Sequence, residues 1–143
     1  MVEGVGQSGR PVVVLAIIRD VASLALITAA WWLPWATLDE GPLGVTTFTA
    51  GSLADRLVAL ALVSVAMSTA ALRWSTTWIR WAVLGSSICA FGLAVLLALH
   101  SISLANSVPT HAYSHTSYAS GAVLGVLSGG AMTATAVLGL RTS

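Results

Sequence analysis

The sequence predicts an all-α fold, an integral membrane four-helix bundle with both termini on the cytoplasmic side. Hydrophobic residues make up 57% of the 143 residues and charged residues only 8%, against about 25% charged in an average soluble domain. A mean hydropathy of +0.90 agrees with a membrane composition. Four apolar stretches each approach the roughly 20 residues that a helix needs to cross a bilayer.

The four predicted spans are residues 12–35, 53–72, 81–104 and 119–140. The acidic, glycine-rich segment 39–44 separates the first two spans, and the polar segment 106–118 is expected to turn between the last two. No charged residue lies between Arg80 and Arg141, which leaves room for two crossings. We therefore expect residues 1–143 to form a single four-helix domain.

The distribution of arginine predicts the orientation of these spans. Arg56 alone falls on one side of the four-span arrangement. The other side holds Arg10, Arg19, Arg73, Arg80 and Arg141. The positive-inside rule places this arginine-rich side, and with it both termini, in the cytoplasm. We therefore expect a multi-pass protein of the cell membrane.

The six tryptophans are expected to mark the two membrane interfaces. An indole ring prefers the headgroup level, where the ring is half buried and its N–H is hydrated. The outer group is Trp31, Trp32 and Trp35, and the inner group is Trp74, Trp78 and Trp81. All six are interpreted as anchors.

The fourth span carries a stripe of small residues. Gly121, Gly125 and Gly129 recur every four residues, so they share one helix face that another backbone can approach closely. Ser117 and Thr133 extend this stripe by one turn at each end. The stripe is predicted to be a helix-packing or partner-contact surface. Its expected counterparts within the monomer are Gly85, Cys89 and Gly92 of the third span, and the alternative is a second subunit.

Arg19 and Asp20 form a possible intramembrane polar site. Counting about 20 residues back from Trp35 places the inner interface near Leu15, so Arg19 is expected about one turn inside, with its guanidinium reaching the headgroups. Asp20 points about 100° away around the helix, so the two side chains do not form one pair. Either the acid functions within the membrane, or residues 12–18 lie in the interface and both charges sit among headgroups.

Three histidines are weak candidates for metal ligands on the outer side. His111 and His115 have the i, i+4 spacing that presents two imidazoles together on a helix, and His100 offers a third. No acidic residue or cysteine accompanies them in that loop, and Pro109 breaks regular structure there. We expect no metal and no other cofactor.

No catalytic residue is predicted. The serines and threonines of the spans have no histidine and carboxylate arranged to complete a triad, so the chain is not expected to be an enzyme. A net charge of +1 supplies too little positive charge for binding nucleic acid. The expected partners are other integral membrane protein subunits and lipid.

The first span ends in Trp31-Trp32-Leu33-Pro34-Trp35, and a short acidic outer loop and three Ala/Val/Leu-rich helices with Arg as the only base follow. In these features the chain resembles the small tryptophan-containing four-helix membrane proteins of high-GC actinobacteria. They include conserved membrane proteins found beside tryptophan biosynthesis genes. The resemblance implies a location in the cell inner membrane and a role as an accessory subunit.

Two classes of function are compatible with these features. The first is a non-catalytic accessory or structural subunit of a larger inner-membrane complex, such as a respiratory, transport or envelope-synthesis complex. The alternative is a small oligomeric transporter or channel in which Arg19 and Asp20 line a path. A single bundle of four apolar helices has no room for a hydrophilic path, so transport requires an oligomer.

Overall fold

The computed structural model of the chain describes residues 10–74, 76–108 and 114–141. Its four α-helices are α1 (Arg10–Trp32), α2 (Leu53–Arg73), α3 (Thr77–Ser107) and α4 (Ser120–Arg141). All four are long and apolar enough to cross a membrane. The predicted mostly helical fold with four helices of span length is therefore confirmed.

A small antiparallel sheet, which the sequence pattern did not predict, joins the two helix connections at one end of the bundle. Its strands are β1 (Ala36–Asp39), β2 (Val45–Phe48) and β3 (His115–Tyr118), in the order β2-β1-β3. A single 3-10 turn links β1 to β2, whereas β3 comes from the connection between α3 and α4. We call this end of the bundle the sheet end, and the opposite end, where α2 connects to α3, the arginine end.

The four helices close into a ring in which each helix packs against two neighbours. Helix α1 packs on α2 and α4, and α3 packs on the same two helices. Alanine, serine and glycine fill much of the interior, with Leu57, Leu97 and Met132 as fully buried larger side chains. Small residues let helix backbones approach closely, which supplies the packing contacts that hold helices together in lipid.

Helix α3 is longer than a membrane crossing requires. Its 31 residues extend about 46 Å, against about 30 Å of hydrocarbon. At the sheet end α3 packs against β1 and β3, and the Asn106 Oδ1 accepts a hydrogen bond of 2.5 Å from the Thr116 hydroxyl. The expected turn over 106–118 is therefore wrong at both described ends, because α3 continues to Ser107 and β3 begins at His115.

Trp35 is a core residue and not an interfacial anchor. Its side chain is 0% exposed, and its Nε1 donates a hydrogen bond of 2.8 Å to the carbonyl of Ala29. Helix α1 ends at Trp32, before Pro34, because a residue preceding proline is disfavoured in the helical conformation. The chain then turns inward, so the expectation that all six tryptophans are anchors is wrong for this one. The exposed indoles are Trp31, Trp32, Trp74, Trp78 and Trp81.

The glycine stripe of α4 packs inside the monomer against the end of α1 and against α3. The amide of Gly121 donates a hydrogen bond of 2.8 Å to the carbonyl of Pro34. A Cβ at Gly125 would lie 2.5 Å from the Trp35 ring, and one at Gly129 would lie 2.9 Å from the Cα of Phe91. The three glycines therefore leave room for the Trp35 ring and for the backbones of Pro34 and Phe91.

The residues of α3 expected to face this stripe do not do so. A Cβ at Gly85 or Gly92 would meet nothing within 4 Å, and Cys89 is exposed. Ser117 is also outside the stripe, because it lies on β3 and its hydroxyl shares a hydrogen bond of 2.9 Å with that of Thr37. Residues four positions apart share a face only within a helix, and Ser117 precedes α4, which begins at Ser120.

Gly125→Ala is expected to lower the free energy of unfolding by about 1–3 kcal/mol, because the added methyl group overlaps the buried Trp35 ring. Gly92→Ala is the matched control, since it adds the same group to a helix where nothing lies within 4 Å. The midpoint of thermal unfolding in a mild detergent measures both. Equal midpoints for the two variants would contradict the packing described here.

Candidate functional site

Arg19 is buried within the helix ring towards the arginine end. Its side chain is 7% exposed, and its Nη2 donates a hydrogen bond to the hydroxyl of Ser68 on α2. The guanidinium is therefore held against α2 inside the helix ring. Arg19 lies nine residues after Arg10, the first residue of α1, which is about 14 Å along the helix.

Two buried polar atoms of α1 have no hydrogen-bond partner among the described residues. They are the Nε of Arg19 and the Oδ1 of Asp20. The two residues are adjacent on α1, so their side chains point about 100° apart around the helix. A buried polar group without a partner costs about 1–3 kcal/mol, and more when it is charged. The burial of this pair is therefore not fully offset by hydrogen bonds within the described residues.

A cavity of about 50 Å³ lies next to Arg19 at the arginine end. We call it the arginine cavity, and its polar lining side chains are Arg19, Ser68, Arg80 and Thr135, one from each helix. The rest of its wall is apolar or glycine, and it extends to Leu72 in the last turn of α2. Two arginines and no acidic residue thus line this cavity.

The polar lining residues differ in their positions along their helices and in their hydrogen bonds. Arg80 lies in the first turn of α3, so it is near the helix end, whereas Arg19 lies deeper on α1. The Thr135 hydroxyl donates to the carbonyl of Ala131 on its own helix at 2.9 Å. Ser68 accepts the Arg19 hydrogen bond, and none of the described residues accepts one from the Ser68 hydroxyl itself.

A second serine contact lies closer to the sheet end. The hydroxyls of Ser64 on α2 and Ser87 on α3 are 3.3 Å apart, and that of Ser87 also donates to the carbonyl of Val83 at 2.8 Å. Ala61 and Leu57, one and two turns closer to the sheet end on α2, are fully buried. The polar face of α2 formed by Ser64 and Ser68 is therefore followed by apolar packing towards the sheet end.

The histidines lie away from this cavity. His100 is exposed on α3, His115 is exposed on β3 opposite Asp39, and His111 lies outside the described residues. Across residues 10–74, 76–108 and 114–141, no group of three His, Cys, Asp or Glu side chains could hold a metal ion.

Sequence reasoning did not identify Ser68 or Arg80 as members of a site. A signal for Ser68 is present, because Ser64 and Ser68 are four residues apart and so mark one polar face on an apolar helix. Arg80 is harder to identify, since an arginine close to a helix end is typical of an interfacial residue. Only the packing of α3 against its neighbours brings its side chain to the cavity of Arg19.

No protein-family model, curated protein or solved structure matches this chain.

Ser68→Ala is expected to lower the free energy of unfolding by roughly 1–3 kcal/mol, because it removes the hydrogen-bond acceptor of a buried guanidinium. Thr69→Ala is the control, since the Thr69 hydroxyl is exposed and donates to the carbonyl of Val65 on its own helix. Chemical unfolding in detergent measures both variants. A Ser68→Ala protein as stable as Thr69→Ala would show that the Arg19–Ser68 contact contributes nothing.

Proposed function

We propose that this chain is a non-catalytic accessory subunit of a larger complex in the cell inner membrane, such as a respiratory, transport or envelope-synthesis complex. Its partners in this proposal are other integral membrane protein subunits and lipid. The glycine stripe is used within the monomer, so the partner-contact surface lies elsewhere. The observation that carries the proposal is the free edge of the sheet at strand β2.

Strand β2 lies at an edge of the described sheet. Strands β1 and β3 pack against α3, and β2 lies on the far side of β1. Beside it, Leu43 is 67% exposed and Val45 is 62% exposed. An edge strand carries a row of backbone N–H and C=O groups that an extended segment of another chain can pair with.

Strand β2 is short, at four residues, but it carries no charged side chain, proline or bulge. Natural edge strands are protected by charged side chains, proline or a bulge, but β2 has the sequence Val-Thr-Thr-Phe and pairs regularly with β1. Asp39 lies opposite Val45 on β1, and its carboxylate accepts a hydrogen bond from the Gly41 amide. An uncharged strand flanked by exposed apolar side chains fits a partner strand.

The proposal includes a membrane orientation. The arginine end is placed in the cytoplasm because Arg73, Arg80 and Arg141 lie in the terminal turns of helices there, whereas Arg56 is in the first turn of α2 at the sheet end. The sheet then faces the outside of the membrane. Exposed tryptophans occur at both ends, as expected for two interfaces.

Cysteine labelling tests this orientation in a Cys89→Ala background. Thr46→Cys on β2 should react with an impermeant maleimide in intact cells, because the sheet faces outward. Thr76→Cys, between α2 and α3, should react only after the membrane is opened. The reverse pattern would overturn the proposed orientation.

Val45→Lys is expected to abolish the co-purification of a partner, because a lysine at a sheet edge opposes the addition of a second strand. Val45→Thr is the matched control, since it keeps a β-branched, uncharged edge and should retain the partner. The quantity to measure is the yield of each co-purifying chain per mole of bait from native membranes in mild detergent. Equal yields from wild type and both variants would refute the use of this edge.

The alternative function, a small oligomeric transporter or channel, is favoured by one observation, the buried and unpartnered polar atoms of Arg19 and Asp20. It predicts that the purified chain alone forms an oligomer and supports a flux into vesicles that Asp20→Asn abolishes. A wild-type chain that forms such an oligomer and needs no other subunit for this flux would favour transport over the accessory role.

A further inference from the structure

The charges around the arginine cavity are not balanced. Arg19 is buried and gives its one hydrogen bond in the described part to an uncharged hydroxyl, while its Nε has no partner. Arg80 on α3 lines the same cavity. Asp20 supplies one negative charge nearby on α1, but it does not line the cavity, so the cavity side carries a net positive charge.

An uncompensated buried charge is costly, because the penalty of removing an ion from water is several kcal/mol. An anion in the cavity would offset this cost for Arg19. Arginine matches an oxyanion best, since its planar fork of N–H groups bonds two oxygens at once. The free Nε–H of Arg19 and the hydroxyl proton of Ser68 are further donors beside the cavity.

The size of the cavity limits the ligand. A single water needs roughly 10–15 Å³ of such space, so about 50 Å³ accepts a group of a few heavy atoms. A phosphate group fits this volume, whereas a nucleotide does not.

The position of the cavity agrees with a ligand that enters from the arginine end. Its wall reaches Val12, Leu72 and Gly139, each within two residues of the end of its helix. Arg80 is near this end, and Arg19 lies seven residues beyond Val12 on α1, about 10 Å along the helix. An oxyanion that enters here meets Arg80 before it reaches Arg19.

We propose that the arginine cavity is a binding site for a phosphate group held by Arg19, Arg80 and Ser68. The group is either the phosphate of an anionic membrane lipid or free inorganic phosphate, since both present the same oxygens. This inference is independent of the proposed accessory role, because it needs no partner chain.

The test uses the full chain purified in a maltoside detergent, which contains no phosphate. Three probes are titrated, namely inorganic phosphate, short-chain phosphatidylglycerol and the diacylglycerol with the same acyl chains. The midpoint of thermal unfolding reports binding, because a ligand that binds only the folded state raises it. Sodium chloride at matched ionic strength is the reference for salt effects.

We expect phosphate, phosphatidylglycerol or both to raise the midpoint, and diacylglycerol to leave it unchanged. Arg80→Gln should weaken binding roughly tenfold or more, the loss expected for one charge-assisted hydrogen-bonded contact. Arg19→Gln should weaken it at least as much. Arg73→Gln is the control, because Arg73 is exposed at the end of α2 and does not line the cavity.

The pattern of responses identifies the source of the phosphate. A response to phosphatidylglycerol alone assigns the site to a lipid headgroup, and a response to inorganic phosphate alone assigns it to a free anion. No response to either would overturn the proposal. A response of the same size in wild type and Arg80→Gln would also overturn it, because phosphate stabilises folded proteins in general through its exclusion from their surface.

Discussion

The sheet end of this molecule depends on the packing of the Trp35 indole against Gly125. The ring is fully buried, its Nε1 donates to the carbonyl at position 29, and no Cβ fits between it and α4. This contact fixes where the chain leaves α1. Because β1 begins at the next residue, Ala36, it also fixes the central strand of the sheet.

Several backbone contacts surround this point and reinforce one another. The amide of Gly121 donates to the carbonyl of Pro34, and that of Ala119 donates to the carbonyl of Trp35 at 3.1 Å. The beginning of α4 is therefore tied to the end of α1, and β3, which precedes α4, is held beside β1. A bulkier residue at position 121 or 125 would push α4 away from the end of α1. It would also move β3 away from β1, because the same close approach holds both the helices and the strands.

The two ends of the bundle differ in how they satisfy polar groups. At the sheet end, the backbone groups of the connections pair in strands, and side chains such as Thr37 and Ser117 pair across them. At the arginine end, a guanidinium is buried with one neutral acceptor and one free N–H. The buried side-chain atoms without a hydrogen-bond partner in the described chain therefore lie on α1, at Arg19 and Asp20, and not in the sheet.

The sequence by itself determined the four helices, because runs of apolar residues long enough to cross a bilayer adopt helix to satisfy their own backbone groups. It also determined that Gly121, Gly125 and Gly129 share a face, since their spacing matches the helical period. It did not determine what that face contacts, that Trp35 is buried, or that Arg19 turns inward. Lipid and a protein core are equally apolar, so hydropathy does not distinguish a residue facing one from a residue facing the other.

The sheet was decided only by tertiary structure, because its strands are four residues each and Thr37 meets Ser117 across 80 positions of sequence. The arginine cavity arises for the same reason, as its four polar residues come from four helices that only folding brings together.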